Sequence, residues 1–496
     1  MAVIGRNLTR FDMPRAPSTG EDESTLKFIS TRGLAPDLGF RDVILAGLAD
    51  DGGLYLPEQW PCLSHEQIAG LRGATFAETA VAVMWPFVEG EIDRPVFEAI
   101  VAEAYGTFRH EAVCPLVQTG ANEFVLELFH GPTLAFKDVA MQLLSRLMDH
   151  VLAERDERAT IVGATSGDTG GAAIEAFAGR ERTDIIVLFP EGRVSPVQQR
   201  QMTGSDAGNV HALAIDGNFD DCQALVKAMF GHGAFRDQVR LSGVNSINWA
   251  RIMAQIVYYF TSAIALGAPD RPVSFTVPTG NFGDIFAGYA AKRMGLPIER
   301  LVIATNENDI LARTLASGAY EMRAVVPTTS PSMDIQISSN FERLLFEASG
   351  RDAAHVCGAM DNLKQSRRFD LGATVHQAIM ADFEAGRADT EEAARMMAHL
   401  VSASGYRADP HTAVAIHVAR QRAETAVPMV VLATAHPAKF PDAVEKATGE
   451  RPALPDWLGD LMGREERFAT LPSDLKMVEA HISARTRATG GNDRAC

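Results

Sequence analysis

Short apolar runs rich in β-branched residues recur along the middle and end of this chain, and they constrain its fold more than any other feature. Seven of them are separated mostly by stretches with helical periodicity: "EFVLELF", "ATIVGAT", "TDIIVLFP", "VHALAIDG", "VSFTVPTG", "RLVIATN" and "PMVVLATAH". Short buried strands that alternate with helices predict an α/β fold with largely parallel sheets. Because ligands bind beyond the carboxyl ends of the strands in such sheets, chemistry is expected in the residues that follow each run.

The sequence around these runs divides into regions of different character. Residues 1–24 are rich in Pro, Ser, Gly and acidic residues and predict a tail. Residues 25–105 show helical spacing of apolar side chains and predict a mainly helical N-terminal domain. Residues 106–455 form the predicted α/β region, with a mostly helical and charged insertion at about 309–426. Residues 456–496 remain as a C-terminal extension.

Composition limits the partners of the protein. The 496 residues include 46 basic and 63 acidic ones, and the formal charge of −17 disfavours binding to nucleic acid or anionic lipid. No window approaches the roughly 18 apolar residues that span a membrane, and the N-terminus lacks the apolar core of a secretory signal. The five cysteines are far apart and lack metal-binding spacing, so no metal site is expected. These features predict a cytoplasmic protein.

The stretch "TVPTGNFGDIFAGYAAKR" carries Gly280 and Gly283 between a predicted strand and an alanine-rich helix. Glycines allow a tight turn, and the free N–H groups at a helix start suit a phosphate. The stretch lacks the spacing of a nucleotide P-loop and of the GxGxxG dinucleotide fingerprint, so only a generic phosphate site is predicted. The alternative is a tight strand-to-helix turn without a ligand.

A second loop, "GATSGDTGGAAIEAF", has the same order of strand, loop and helix. Its hydroxyl groups, on Thr165, Ser166 and Thr169, surround Gly167 and Asp168. Small hydroxylated residues at a helix start can bind a carboxylate. Helix capping is the alternative, but it does not explain the density of small residues. Two anion-binding loops favour a small acidic substrate together with a phosphorylated cofactor or substrate.

One lysine, Lys137, lies in the stretch "FHGPTLAFKDVAMQ". The apolar residues from Phe136 to Val151 follow a helical stripe that places Lys137 in the first turn of a helix and away from the stripe. The helix dipole disfavours a cation there, and such violations of local preference tend to mark functional sites. A partly desolvated amine is a better nucleophile for a carbonyl, as Schiff-base enzymes require. The alternative is a solvated surface lysine.

Five stretches together resemble the threonine synthase family in its long form: "FHGPTLAFKD", "GATSGDTGGAAIEA", "SINWARIMAQIVYY", "PTGNFGD" and "TAHPAKF". The resemblance runs in order from Ser30 to about Phe440 and covers most of the chain. It implies a fold type II pyridoxal-phosphate enzyme, similar to the tryptophan synthase β subunit, with two α/β lobes of mostly parallel strands and a mainly helical N-terminal region.

The resemblance also implies how pyridoxal phosphate is bound. Lys137 matches the lysine that forms a Schiff base with the cofactor. Thr434 matches the hydroxyl residue that faces the pyridine nitrogen. The loop around the cofactor phosphate, in which Gly283 makes the turn, matches Gly280, Asn281, Phe282, Gly283 and Asp284.

The remaining matched residues are implied to bind the substrate, O-phospho-L-homoserine. Arg251, with Asn248 and Ser246, lies where related enzymes bind the substrate phosphate, a task suited to a guanidinium group. The loop that receives the amino-acid end of the substrate matches Thr165, Ser166, Asp168 and Thr169.

The implied reaction converts O-phospho-L-homoserine and water to L-threonine and phosphate, by elimination at Cγ and addition of water at Cβ. A related fold type II phospholyase or dehydratase is the nearest alternative, although a simple dehydratase needs no second phosphate site. A non-catalytic protein that binds phosphate or nucleotide is the alternative from another class. A monomer or a homodimer is expected.

Overall fold

The computed structural model describes residues 25–165, 167–422 and 426–488. The predicted tail, residues 1–24, therefore lies outside the described residues, as does Ser166. Two large sheets dominate the described part: a six-stranded sheet of order β13-β10-β9-β14-β4-β3 and a five-stranded sheet of order β15-β7-β6-β5-β8. Strand β3 pairs antiparallel with β4, and the other neighbours in both sheets are parallel. The predicted α/β fold with mostly parallel sheets is confirmed.

The strands are β1 Phe28–Ser30, β2 Tyr55–Pro57, β3 Leu116–Gln118, β4 Glu123–Glu127, β5 Ala159–Ala164, β6 Thr183–Pro190, β7 Val210–Asp216, β8 Leu241–Ser242, β9 Val273–Pro278, β10 Ile298–Thr305, β11 Ala319–Glu321, β12 Arg368–Asp370, β13 Phe383–Arg387, β14 Met429–Ala433 and β15 Phe468–Pro472. Six of the seven apolar runs contain one of these strands, and the run "RLVIATN" covers all of β10 except its first two residues. Strands β6 and β9 are buried along their whole length, which explains why they read as continuous apolar runs.

The α-helices are α1 Phe40–Ala46, α2 His65–Gly70, α3 Phe76–Val88, α4 Arg94–Tyr105, α5 Lys137–Glu154, α6 Asp168–Phe177, α7 Pro196–Thr203, α8 Phe219–Gly231, α9 Gly233–Val239, α10 Trp249–Ala265, α11 Gly283–Arg293, α12 Ile310–Ser317, α13 Phe341–Ala348, α14 Ala353–Ser366, α15 Ala373–Asp382, α16 Thr390–Ser404, α17 Pro410–Arg420, α18 Pro441–Thr448 and α19 Leu475–Ser483. Short 3₁₀ helices occur at Pro331–Met333, Pro437–Lys439, Asp456–Leu458 and Leu461–Gly463. No described helix is long and apolar enough to cross a membrane.

The N-terminal region packs against helices α5 and α10. Four helices and the small antiparallel β1–β2 sheet make up this region, so it is mainly helical, as predicted. Trp249, the first residue of α10, is fully buried. Its ring centroid lies 5.7 Å from that of Phe28, 5.6 Å from that of Phe87 and 6.0 Å from that of Trp60. This aromatic cluster fixes the start of α10, where Arg251 lies, against the N-terminal region.

Two segments that the sequence left outside the sheets each contribute an edge strand. The predicted helical insertion contains β13, which pairs in parallel with β10 at one edge of the six-stranded sheet. The C-terminal extension contains β15, which pairs in parallel with β7 at one edge of the five-stranded sheet. The domain limits drawn from the sequence stay a prediction, but both segments share sheets with the α/β region.

Candidate active site

The loops that follow strands β4, β5, β9 and β14 meet beyond the carboxyl ends of these strands. Helices α5, α6 and α11 begin in or directly after the first three of them, and the 3₁₀ helix Pro437–Lys439 follows the last. The peptide N–H of Phe136 donates to the carbonyl oxygen of Thr434 at 2.9 Å, so the residue before Lys137 is fixed to the loop after β14. Parallel α/β folds bind ligands at these carboxyl ends of the strands.

Lys137 is the first residue of α5, and only 8% of its surface is exposed. Its Nζ lies 3.4 Å from Asp168 Oδ2 and 4.7 Å from the centroid of the Phe136 ring. Burial lowers the pKa of Lys137, the charges of Lys439 and Arg251 lower it further, and Asp168 opposes them. The neutral, nucleophilic form of this amine is therefore easier to reach than in a solvated lysine.

Asp168 begins helix α6 and lies between two lysines. Its Oδ1 accepts a hydrogen bond from Gln198 Nε2 at 2.9 Å and lies 3.0 Å from Lys439 Nζ, while Oδ2 faces Lys137. Burial alone would raise the pKa of Asp168, but Lys439 and Lys137 hold it well below its usual range. Asp168 was predicted to bind substrate; the described contacts of its carboxylate are to Lys137, Lys439 and Gln198.

The rest of the second loop lies beside Asp168. The hydroxyl of Thr165 accepts hydrogen bonds from the N–H groups of Gly167 and Gly170, both at 2.9 Å, and so shapes the loop from within. Thr169 is partly exposed in the first turn of α6. The role of these residues in binding the substrate carboxylate stays a prediction, and Ser166 is not described.

The turn that precedes Lys137 is fixed by Asp138. This fully buried carboxylate accepts hydrogen bonds from the N–H of Thr133 at 2.8 Å and from its hydroxyl at 2.6 Å. A Cβ on Gly131 would lie 2.5 Å from the Cβ of Asp138, so only glycine fits there without a shift. The "HGPT" turn and the acid after the lysine thus form one unit that sets the direction of α5.

The first glycine loop passes close to a neighbouring backbone. A Cβ on Gly280 would lie 2.4 Å from the carbonyl oxygen of Ser332, so the loop requires glycine there. The left-handed residue is Phe282, with φ 63°, rather than Gly283 as predicted; Gly283 begins α11. The ring of Phe282 is buried against Phe341, and packing supports this unusual backbone conformation.

Asp284 faces the interior in the first turn of α11. Its Oδ1 accepts hydrogen bonds from the hydroxyls of Tyr258 and Tyr259, and its Oδ2 is buried without a hydrogen-bond partner among the described residues. Burial raises the pKa of Asp284 to about 6, although both tyrosines and the charge of Lys137 oppose the shift. Asp284 therefore belongs to the electrostatic surroundings of Lys137.

Arg251 is a buried cation near Lys137. It is 3% exposed, its Nη1 donates to the carbonyl oxygen of Val244 at 3.2 Å, and it forms no ion pair with any described residue. Its Nε has no hydrogen-bond partner in the described part of the chain. Burial lowers the pKa of Arg251 to about 10. A buried guanidinium with unused donors is prepared for an anionic ligand.

The two residues predicted to assist Arg251 have structural contacts of their own. Asn248 is fully buried; its Oδ1 caps α10 by accepting from the N–H of Ala250, and its Nδ2 donates to the carbonyl oxygen of Ile44. The carbonyl oxygen of Ser246 accepts from Asn340 Nδ2 at 3.2 Å. Asn248 thus positions the start of α10, while Ser246 remains partly exposed beside the cluster.

Several residues that shape this site were not identified from the sequence. Lys439 is fully buried and contacts Asp168 directly. Asn340 bridges two predicted anion-binding segments, because its Nδ2 donates to the carbonyl oxygens of Asn281 at 2.8 Å and of Ser246. The buried Arg343 donates to the side chain of Asn340. The "TAHPAKF" motif contains Lys439, whereas Asn340 and Arg343 fall in the predicted insertion and carry no local signal.

The residues present fit pyridoxal phosphate. A buried lysine offers an amine for its aldehyde, and the glycine loop at the start of α11 offers N–H groups for its phosphate. Gly280 lets this loop pass against the backbone of Ser332, where a Cβ would clash. Thr434 is buried directly after β14 and lies next to the loop that carries Lys137.

Comparison with known proteins agrees with this geometry. Three family models match: "Threonine synthase N terminus" over residues 27–105, "Pyridoxal-phosphate dependent enzyme" over residues 114–362 and "Threonine synthase, C-terminal" over residues 412–482. The threonine synthase of Pseudomonas aeruginosa is 53% identical to this chain over 460 residues, which cover 92% of this chain and 98% of that protein.

Two solved structures are similar over nearly their whole length. The crystal structure of threonine synthase from Brucella melitensis with bound pyridoxal phosphate has 67% identity and a TM-score of 0.92, and it covers 93% of this chain and 100% of that one. The yeast threonine synthase structure has 38% identity and a TM-score of 0.87, over 92% and 98% of the two chains.

Proposed function

The chain belongs to the threonine synthase family, and on that basis we propose a role for each side chain of the cluster around Lys137. Its activity is the pyridoxal-phosphate-dependent conversion of O-phospho-L-homoserine and water to L-threonine and phosphate, which makes it an enzyme rather than a non-catalytic binding protein. The observation that carries the proposed roles is the meeting of Lys137, Asp168 and Arg251 in one buried cluster, where Asp168 and Arg251 both act on the Lys137 amine.

Pyridoxal phosphate, when bound, supplies an aldehyde for an amine and a ring that withdraws electrons from the substrate α-carbon. Lys137 would hold it covalently, and the loop from Gly280 to Asp284 would bind its phosphate. Thr434 would face the pyridine nitrogen with a neutral hydroxyl.

Lys137 is the proposed general base and acid. Because burial lowers the pKa of Lys137, its Nζ would accept the proton from the α-carbon of the substrate and return it to the product. A second proton leaves Cβ, phosphate leaves from Cγ, a proton is added at Cγ, and water adds at Cβ. The hydroxyl group of the water stays on Cβ, and the remaining proton of the water leaves with phosphate.

Arg251 is the proposed partner of the substrate phosphate. Its unused Nε and buried position allow a strong charge-assisted hydrogen bond to an oxyanion that water cannot easily weaken. Ser246 and Asn248 would support this site from the preceding loop. The first turn of α6, with Thr165, Ser166, Asp168 and Thr169, would receive the amino-acid end of the substrate. We further propose a cytoplasmic location and a monomer or homodimer.

The test is to supply the purified holoenzyme with O-phospho-L-homoserine and to measure phosphate and threonine together. Equal amounts of both are expected from the wild type. Phosphate with 2-oxobutyrate but without threonine would instead indicate a phospholyase. Lys137→Ala should abolish both turnover and the visible absorbance of the bound cofactor, and full activity in this variant would overturn the role given to Lys137.

A further inference from the structure

Lys439 is a fully buried lysine that the proposed reaction does not use. Three oxygen atoms surround its Nζ: the carbonyl oxygen of Thr133 at 2.7 Å, Gln201 Oε1 at 2.8 Å and Asp168 Oδ1 at 3.0 Å. Three acceptors match the three donors of an ammonium group. A buried ammonium group is costly unless it is paired and fully hydrogen-bonded, so this environment is built for a cation.

The contacts of Lys439 join the segments that carry the reactive amine and its counter-ion. Thr133 belongs to the turn before Lys137 and is itself bound to Asp138. Gln201 contacts the same turn as well as Lys439, because its Nε2 donates to the carbonyl oxygen of Thr133 at 3.0 Å. Lys439 thus fixes both the turn that precedes α5 and the carboxylate of Asp168 at the start of α6.

The two oxygens of Asp168 are divided between the two lysines. Oδ1 faces Lys439, while Oδ2 faces Lys137 at the longer distance of 3.4 Å. Gln198 Nε2 also donates to Oδ1, so the carboxylate is held in one orientation from the side away from Lys137. If Lys439 were absent, Lys137 would be the one ammonium partner left to Asp168 among the described residues.

We propose that Lys439 is a positioning residue: it fixes Asp168 beside Lys137 and shares that carboxylate, so that Asp168 orients the reactive amine without fully neutralising it. This inference rests on the proposed role of Lys137 as the base. Other charged or titratable groups lie around the same cluster and remain in place when Lys439 is changed: Arg251 from α10, Asp284 from α11, Asp138 from α5, and His411 and His436 from the segments around β14.

The positive charge of Lys439 determines in which direction the pKa of the Lys137 nitrogen should shift. Removing the positive charge of Lys439 leaves Asp168 to Lys137 alone and stabilises the protonated form of the Lys137 nitrogen. A unit charge a few Å away at an effective dielectric constant of about 20 corresponds to a shift of roughly one to two pH units. The acidic limb of the kcat profile should therefore move to higher pH, with kcat reduced more than KM is raised.

The experiment compares Lys439→Met, which keeps the length of the side chain and removes its charge, with Lys439→Arg, which keeps the charge. Lys446→Met, a change at an exposed lysine of α18, is the matched control. The pH midpoint of the cofactor's visible absorbance is measured in the resting holoenzyme without substrate, together with the kcat profile and the melting temperature. Lys439→Met should shift both pH midpoints upward, whereas Lys439→Arg and Lys446→Met should leave them near the wild-type values.

If Lys439→Met does not fold, Lys439→Gln replaces it in the experiment. This variant also removes the positive charge, but it keeps an amide group that donates hydrogen bonds. Wild-type pH midpoints in both uncharged variants, even with a lower melting temperature, would overturn the proposal and leave Lys439 as a scaffold residue. Because the absorbance titration contains no substrate, it tests Lys439 whatever the product of the reaction. A wild-type protein without the absorbance band would instead refute the role of Lys137.

Discussion

Arg251 and Lys137 are both buried basic side chains, but their surroundings differ. Lys137 has a carboxylate partner in Asp168, whereas Arg251 contacts a carbonyl oxygen and leaves Nε unpaired among the described residues. An unpaired buried charge destabilises the folded protein unless a ligand neutralises it. This difference supports the proposed role of Arg251 in binding the substrate phosphate.

Arg251→Met is expected to weaken use of the phosphorylated substrate and not to lower stability. A hydrogen bond to a charged group contributes about 1.5–3 kcal/mol, so kcat/KM should fall roughly 10- to 100-fold. The melting temperature without substrate should stay the same or rise, because a desolvated cation is removed. Steady-state kinetics and thermal unfolding measure the two effects, with the exposed Arg236→Met as the control. Unchanged kcat/KM in Arg251→Met would contradict the proposed phosphate site.

The sequence predicted which single residues are functional better than it predicted which side chains they contact. Lys137 was recognisable because a cation in the first turn of a helix opposes the helix dipole. Lys439 gave no such signal, because its environment arises from Thr133, Asp168 and Gln201, which are far from it in sequence. Asn248 was assigned to the substrate, yet its amide caps α10 and binds the carbonyl oxygen of Ile44, contacts that no local pattern predicts.

Among the elements, helix α13 connects parts of the site that are distant in sequence. Asn340, which directly precedes it, donates from its backbone and side chain to the carbonyl oxygen of Asn281 and also binds that of Ser246. Arg343 follows within the helix, is fully buried, and donates to the carbonyl oxygens of Tyr55 and Ile247. The start of α13 thus connects the loop before α11, the loop before α10 and the N-terminal region.

Asn340→Ala is expected to loosen the loop from Gly280 to Asp284, which is proposed to bind the cofactor phosphate. The variant loses the side-chain hydrogen bonds to Asn281 and Ser246, each worth about 1 kcal/mol, so the affinity for pyridoxal phosphate should fall roughly 10- to 30-fold. Equilibrium titration of the cofactor-free protein, followed by absorbance, measures this affinity. Asn362→Ala, at an exposed position of α14, should bind the cofactor like the wild type. Wild-type affinity in Asn340→Ala would show that the loop holds its shape without this bridge.

The sequence predicted buried strands more readily than edge strands. Strands such as β6 are buried on both faces, so their apolar residues form a continuous run. Edge strand β15 alternates between partly buried and exposed residues, and β13 has only one fully buried residue, so neither resembles a core strand in the sequence. Their places depend on pairing with β7 and β10, which are distant in sequence.

For the whole molecule, the two ends of the described chain stabilise the lobes from outside. The N-terminal region packs its aromatic rings on α10, and the C-terminal segment completes the five-stranded sheet through β15. After α19 the chain contacts the five-stranded sheet once more, at Asp184 in β6. The side chain of Asp184 is 2% exposed. Arg487 Nε lies 2.6 Å from Asp184 Oδ1, and the N–H of Arg487 donates to Oδ2 at 2.7 Å.

Arg487→Met is expected to destabilise the five-stranded lobe while leaving the chemistry at Lys137 intact. The change leaves the buried Asp184 without its cation, but it keeps the backbone N–H contact, and Arg487 is itself partly exposed. We therefore expect a loss of about 1–2 kcal/mol rather than the 3–5 kcal/mol typical of fully buried pairs. Denaturant unfolding measures the loss, and kcat at a temperature well below melting should be unchanged.

Arg485→Met is the control for Arg487→Met. It separates the loss of the Arg487–Asp184 ion pair from the general effect of a substitution in the C-terminal segment. Arg485 lies two residues earlier, is exposed, and its side chain donates to the carbonyl oxygen of His481, one turn back along the chain. Its replacement should leave the unfolding midpoint within experimental error. Equal stability of Arg487→Met and Arg485→Met would mean that β15 and α19 hold the C-terminal segment without the contact to Asp184. A lower midpoint in Arg487→Met alone would make Asp184 the anchor of that segment.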